Sequence, residues 1–315
     1  MATNEGSQND SSSEIHSVDE IDYFGFLENA KASADEIVLQ TVKCNNCNAS
    51  TTVDVASSDS SCPYCGDKLV TGDLKPESVI KPWGLIPFRL NQQEAVKTYQ
   101  KWIRKRWLAP SSFSRQPKFQ SIYLPYWTFD TSANVQFIGQ RGDEYYDGER
   151  NYTLWTDVID EVQWYFDDIL ICASESVKEE SINNLRPWGT EDIIPFEDKY
   201  LKGFISEKYG VDLKEGFQKA QERTTEGIEA LLREYIGGDD QKILKARTSY
   251  TDITFKHILL PVHIISHEFR GKRYQVLING KTGKIQGKSP KSLAKVLTTV
   301  FGTIALIALI IRLFF

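Results

Sequence analysis

The spacing of hydrophobic and polar positions changes several times along the chain, and each change marks an element. From Val296 to Ile311 no charged residue occurs, and the run is apolar on every face of a helix. At a helical rise of 1.5 Å, the stretch from Val296 to Phe315 covers about 30 Å, one hydrocarbon thickness. The pattern predicts one transmembrane helix over residues 294–315, with Arg312 near enough to the end to reach the far interface. Helical spacing also follows Asn91, whose partner Glu94 three residues on completes a capping-box signature. That helix is predicted to run to about Trp107, with Val96, Tyr99, Trp102 and Ile103 on one face. Asp212 and Glu215 open a second, longer helix that stops at Gly237-Gly238. Shorter helices are expected over residues 178–185 and 198–209, the latter closed by Gly210.

Strand-like segments lie between the helices. Ile122–Asp130, Ala133–Ile138 and Trp155–Ala173 form one block, the last broken near Asp167-Asp168. Gly139 to Gly148 reads as a turn-rich loop. Lys242–Thr248, Thr254–Phe269 and Arg273–Ile278 form a second block, closed by the hairpin signals Asn279-Gly280 and Thr282-Gly283. An antiparallel meander is the simplest pairing. The order β-rich, helical, β-rich gives an α+β class, with a mixed antiparallel-sheet and helix domain over residues 78–290. Tyr123-Leu124-Pro125 and Leu259-Leu260-Pro261 echo one another and suggest a duplicated strand–hairpin unit.

Charge sharpens the picture. The chain of 315 residues carries 37 basic and 43 acidic side chains, a net charge of -6, so a strongly basic nucleic-acid binder is not the first expectation. The excess is confined to one end: residues 1–40 hold nine acidic side chains and only Lys31 as a base. They form an acidic tail, expected to be largely disordered because it has little to bury. Tyr23, Phe24, Phe26 and Leu27 within it suggest a docked strand or loop, or a short motif for a partner. Lys281, Lys284, Lys288, Lys291 and Lys295 precede the apolar span and place the bulk of the protein on the cytosolic side. No charged-then-apolar leader opens the chain. The expected protein is therefore tail-anchored and single-pass, with the lipid bilayer as one partner.

Four cysteines supply the strongest chemical signal. Cys44, Cys47, Cys62 and Cys65 form two C-x2-C pairs separated by 14 residues. Each pair lets one tight turn aim two thiolates at a shared ion, and two turns complete a tetrahedral shell of the kind zinc favours. Pro63 and Gly66 suit such a turn, and Thr51–Val55 reads as a strand between the pairs. The expectation is an N-terminal zinc ribbon over residues 41–72 with one structural Zn2+, followed by a linker at 72–78. A rubredoxin-like iron site and disulfides are the alternatives; the latter conflict with a cytosolic setting. Four thiolates leave no open position for catalysis. Cys172 reads as a small buried hydrophobe.

Other chemistry is sparse. Gly280-Lys281-Thr282 and Gly287-Lys288-Ser289 lack the glycine spacing of a Walker A loop, so no nucleotide is expected. His257, His263 and His267 share strand parity, but Pro261 is expected to interrupt that strand. Asp167 and Asp168 should point to opposite faces, and Asp157, Asp160 and Glu161 are a weak cation candidate. Lys97, Lys101, Arg104, Lys105 and Arg106 form a basic helix flank, read as a solvated face, an anionic membrane contact or a nucleic-acid contact.

Several of these motifs occur in a familiar order: the four-cysteine ribbon, Tyr-Leu-Pro-Tyr-Trp (123–127), Leu-Leu-Pro-Val (259–262), Leu-Ile-Asn-Gly-Lys-Thr-Gly (277–283) and a terminal apolar span. Over residues 41–315 the chain resembles uncharacterised zinc-ribbon membrane proteins of bacteria. Some of those are labelled replication-restart helicase-like, or transcription-factor-type zinc ribbon proteins. His263 stands where that pattern usually has Trp. The helicase label implies a Walker A loop that this chain lacks. The resemblance carries no established activity. The functional expectation is a non-enzymatic protein-interaction or scaffold module at the cytosolic membrane face. A membrane-tethered nucleic-acid binder and a membrane-surface enzyme are the alternatives.

Overall fold

The structure is a computed structural model that describes residues 19–29, 36–52, 61–70, 74–114, 118–201 and 204–314. The first 18 residues of the expected acidic tail, Val53–Val55 of the expected ribbon strand and Gly72 lie outside these.

In chain order the elements are β1 (Ile21–Asp22), α1 (Tyr23–Asn29), β2 (Glu36–Lys43), β3 (Ser50–Thr52), β4 (Lys75–Ile80), β5 (Gly84–Leu85) and α2 (Gln92–Arg104). They continue with β6 (Lys118–Tyr146), β7 (Asn151–Phe166), β8 (Ile171–Cys172), α3 (Glu179–Asn183), β9 (Ile194–Pro195), β10 (Ile205–Ser206) and α4 (Leu213–Ile236). β11 (Asp240–Phe269), β12 (Lys272–Asn279), β13 (Ile285–Gly287) and α5 (Leu293–Phe314) complete the chain. The class is α+β: a large sheet built on β6 and β11, a small sheet β3-β2-β4 around the cysteines, and one apolar C-terminal helix.

The two helix starts follow from their caps. The Asn91 side chain accepts from the Glu94 N–H while the Glu94 carboxylate accepts from the Asn91 N–H, a reciprocal box. Asp212 caps α4 from one side only, accepting from the Glu215 N–H at 2.8 Å. α4 ends at Gly237, whose φ of 67° suits a residue without Cβ.

β6 and β11 are each one long strand where the sequence suggests two. They pair antiparallel almost end to end, with irregularities at Ile243/Lys245 and Thr251/Thr254. The two Leu-Pro steps face each other, Pro125 opposite Leu259 and Tyr123 opposite Pro261. Neither proline breaks its strand, because neither loses a central ladder bond. On the outer edge of β6, Pro125 falls between the parallel partner β10, at Ile122-Tyr123, and the antiparallel partner β8, at Tyr126-Trp127. Pro261 occupies the same gap on β11, between β5, at Ile258-Leu259, and β12, from Val262 onward. The carbonyls of Pro125 and Pro261 accept from Ala173 and Gly280.

This repetition extends to whole units. β5-α2-β6-β7/β8 and β10-α4-β11-β12 follow the same path, and the two are related by a local two-fold between β6 and β11. Each helix crosses the other unit's hairpin. Ala95, Tyr99 and Trp102 of α2 pack on Ile265, Val276 and Ile278, while Ile228, Leu232 and Ile236 of α4 pack on Ala133, Val135 and Phe137.

Three local expectations are corrected. Residues 139–146 continue β6 rather than forming a loop. Their glycines serve packing: a Cβ on Gly139 would come within 2.6 Å of Ile236, and one on Gly142 within 3.0 Å of Trp155. The expected helix over 198–209 is a short 3-10 turn followed by β10. There, pairing with β6 and burial of Tyr200, Leu201 and Phe204 beside Tyr123 override local preference. The expected linker at 72–78 holds part of β4, which pairs with β2, so the small sheet runs from Glu36 to Ile80.

The aromatic segment near the N-terminus is docked. β1 pairs with Thr254 and Phe255 of β11, and Tyr23 is buried among Phe129, Phe217 and Phe255.

Candidate metal centre

The four cysteines meet at one point between two turns of the same design. Cys44 N–H donates to the Ala49 carbonyl, and Asn48 N–H to the Cys44 carbonyl. In the second turn Cys62 N–H donates to Asp67, and Gly66 N–H to Cys62. The fourth residue after each leading cysteine takes a left-handed conformation, Asn48 at φ 62° and Gly66 at φ 76°. Asparagine and glycine are the residues that tolerate that region. The Gly66 signal was legible in the sequence; Asn48 is its counterpart and shows only when the turns are aligned.

All four sulfurs lie within 4.8 Å of one another, and the Cys44–Cys65 and Cys47–Cys62 distances are both 3.5 Å. That is far beyond the roughly 2.05 Å of a disulfide. It is close to the roughly 3.8 Å edge of a tetrahedron built with 2.3 Å zinc–thiolate bonds. Donor chemistry and spacing therefore fit a single metal ion. Burial pushes the Cys62 thiol up, and raises Cys65 to about 11. Burial also opposes ionisation of Cys44, but the N–H groups of Cys47 and Asn46 outweigh it and hold that thiol below its ordinary value. A bound cation would complete the ionisation of all four.

The turns are fastened to the large sheet, chiefly through Tyr64, which lies between Cys62 and Cys65. Its ring is buried, and its hydroxyl donates to Glu207 Oε2 at 2.5 Å. Its carbonyl accepts from Ser266 Oγ at 2.7 Å and Gln275 Nε2 at 3.0 Å. Lys118 Nζ reaches the Gly66 carbonyl at 2.8 Å, and Thr52 Oγ1 the Ser206 carbonyl at 2.6 Å. Val42, Cys44, Cys62 and Tyr64 belong to the same apolar cluster as Ile122, Leu124, Leu260 and Leu277. Glu207 is buried, and burial pushes its carboxyl up to about 7 despite bonds from Ser174, Ser176 and Tyr64. No sequence pattern announces Tyr64 or Glu207, because the two lie 143 residues apart.

The remaining candidates separate. His263 bonds Ser121 Oγ and the Leu90 carbonyl, His267 bonds the Tyr99 hydroxyl at 2.7 Å, and His257 bonds the Ile80 carbonyl at 3.0 Å. Burial lowers each ring to about 4. Among the described residues no metal-capable cluster includes a histidine. Asp157 and Glu161 accept from Gln140 and Gln136, while Asp160 accepts from Tyr235, so their strand splits them between two faces. Asp168 departs from the alternation expected of it, because a φ of 50° turns it in the connection between β7 and β8. Its N–H donates to Asp130 Oδ1 at 2.5 Å, and Lys256 Nζ lies 3.7 Å from its carboxylate. Lys256 also meets Glu20 at 3.1 Å, so an ammonium stands where these acids would otherwise hold a cation. Cys172 is buried, and burial raises it to about 12. Lys281 Nζ pairs with Asp192 at 2.5 Å beside the Asn279–Gly283 turn.

α5 is apolar around its full circumference. Leu293–Leu313 has a mean hydropathy of 2.3 and no buried residue, and it is long and apolar enough to cross a membrane by length and composition. With four clustered thiols at one end and this helix at the other, comparison with known proteins becomes informative. The chain is similar to the uncharacterized protein YdjG of Bacillus subtilis (strain 168). The two are 29% identical over 235 residues, which cover 72% of this chain and 67% of that protein. No protein-family model matches the chain. No solved structure matches it either.

Proposed function

We propose that this protein is a single-pass membrane protein anchored by α5, with a structural zinc ion held by Cys44, Cys47, Cys62 and Cys65. Its folded part lies on the cytosolic side and serves as a non-enzymatic scaffold for a protein partner. The observation that carries the reading is the use made of Tyr64. The residue between two metal ligands spends its ring, hydroxyl and carbonyl on the large sheet. A metal so placed acts as a fastener between ribbon and domain. Four thiolate ligands leave it no open position for substrate. The polar tip of the ribbon exposes Lys43 and Asn45, and this is the face offered to a partner, while the neighbouring Asn46 is tied back to Asp67 and Arg273.

The test uses the full chain extracted from membranes in detergent. One zinc per chain is expected by metal analysis, and the chain should stay in the membrane pellet on alkaline carbonate extraction. Partners recovered by crosslinking in membranes should be lost in the Cys62→Ser/Cys65→Ser variant. Unchanged recovery in a zinc-free variant would remove the ribbon as the contact surface.

A further inference from the structure

The basic flank of α2 lies at the foot of α5. Ser292 N–H donates to the Leu108 carbonyl at 2.8 Å. Lys295 Nζ, in the first turn of α5, donates to the carbonyls of Trp107 at 3.1 Å and Ala109 at 2.7 Å. Between the two elements opens a cleft of about 380 Å³, lined by Ile103, Arg104, Arg106, Trp107, Pro110 and Lys295. Arg104, Arg106 and Lys295 all line this one cavity, and among the described residues no carboxylate pairs with any of them; Lys295 is engaged by the two carbonyls, so the two guanidinium groups remain to meet an anion. Elsewhere many of the cations are neutralised: Arg89, Arg223, Arg233, Lys256 and Lys281 each meet an acid.

We infer that this cleft binds a phosphate group, and that its source is the headgroup of an anionic lipid. The guanidinium of Arg104 offers a planar fork suited to phosphate oxygens. Arg106 is held 3.6 Å over the Trp102 ring, which fixes its direction. Trp107 is 58% exposed at the rim, where an indole suits the boundary between headgroups and hydrocarbon. The depth also matches. Headgroups add roughly 5–8 Å to each side of the hydrocarbon, about the length of the first turn of α5 that carries Lys295. The source assignment rests on the membrane reading above; the phosphate chemistry of the cleft does not.

The experiment is native mass spectrometry of the delipidated full chain in an uncharged detergent. It is titrated separately with phosphatidylglycerol, phosphatidylcholine and inorganic phosphate. Phosphatidylglycerol is expected to bind at least tenfold more tightly than phosphatidylcholine. Arg104→Gln, a change on an exposed helix end, should abolish that preference while leaving the lipid-free melting temperature unchanged. Arg312→Gln, at the other end of α5, should retain it. Displacement of phosphatidylglycerol by millimolar inorganic phosphate would show that the phosphate group alone is recognised. Its failure to displace would assign recognition to the lipid headgroup. Equal binding of the two lipids with no effect of phosphate overturns the inference. Release of the chain by carbonate would overturn the membrane anchor, and leaves the detergent measurement to judge the cleft by itself.

Discussion

Leu124 of β6 stands directly opposite Leu260 of β11, and the paired residues to either side exchange places across them. Both are fully buried in the cluster that also holds the ribbon's apolar side chains. Leu124→Ala and Leu260→Ala should each cost roughly 2–5 kcal/mol in urea unfolding, from lost transfer energy and the cavity left behind. Because the two side chains share one cavity, the double variant should depart from additivity by about 0.5–3 kcal/mol. Strict additivity would show that they do not pack as a pair.

Gly66 and Asn48 give a contrast within the metal-site turns. Gly66→Ala adds a Cβ to a left-handed residue and drives it into the Lys118 side chain, so a loss of about 1–2 kcal/mol is expected. Asn48→Gly relieves the same conformation and should be close to neutral. The two melting temperatures, measured with zinc bound, decide the comparison.

The chemical motif was far more legible in the sequence than its attachment. Two C-x2-C pairs announce themselves because all their partners are local. Tyr64 and Glu207 do not, since a tyrosine between cysteines and a glutamate in a loop become a pair only once β10 has been laid beside β6. The apolar C-terminal helix, the capping box at Asn91 and the long α4 were readable from period and caps. The continuous β6 and β11 were not. Glycines at 139 and 142 look like turn residues until Ile236 and Trp155 are seen to need their space. Pro125 and Pro261 look like breakers until their outward edges are seen to fall between two neighbours. The lysine belt was read only in part. Lys281 and Lys284 are tied to the domain, and Arg104 and Arg106 take their place beside α5.

Metal removal should be felt beyond the ribbon. Chelation is expected to lower the melting temperature of the large sheet, read by far-ultraviolet circular dichroism, and not merely to release zinc. Tyr64→Phe should reproduce part of that loss, about 1–3 kcal/mol, by leaving the buried Glu207 short of a donor. Zinc release with an unchanged melting curve would mean that ribbon and sheet are energetically independent.

Stability should depend on pH in two opposed ways. The folded-state values of His257, His263 and His267, near 4, lie below the ordinary imidazole range. Their contribution is present above pH 6.5 and is lost as pH falls through about 4. Glu207 lies above its ordinary value, near 7. Its contribution is present below about pH 4.5 and is lost as pH rises through 7. Glu207→Gln should therefore gain on the unaltered protein as pH rises from 4 to 8, by up to about 3 kcal/mol. A stability difference that stays flat across that range would show that Glu207 does not titrate there.

The crossing of α2 and α4 over each other's hairpins has a consequence for how the two units hold together. Each helix reaches across to the other unit: α2 lies on the β11–β12 hairpin, and α4 lies on β6, although Phe217 and Ala220 of α4 also meet Ile253 and Phe255 of its own β11. Two separate copies of such a unit would meet about the same axis as a swapped homodimer. In this chain the link between the units makes that exchange intramolecular. The two halves carry different features about that axis: the first contributes the cleft beside α5, and the second contributes Glu207, which fastens the metal-site turn.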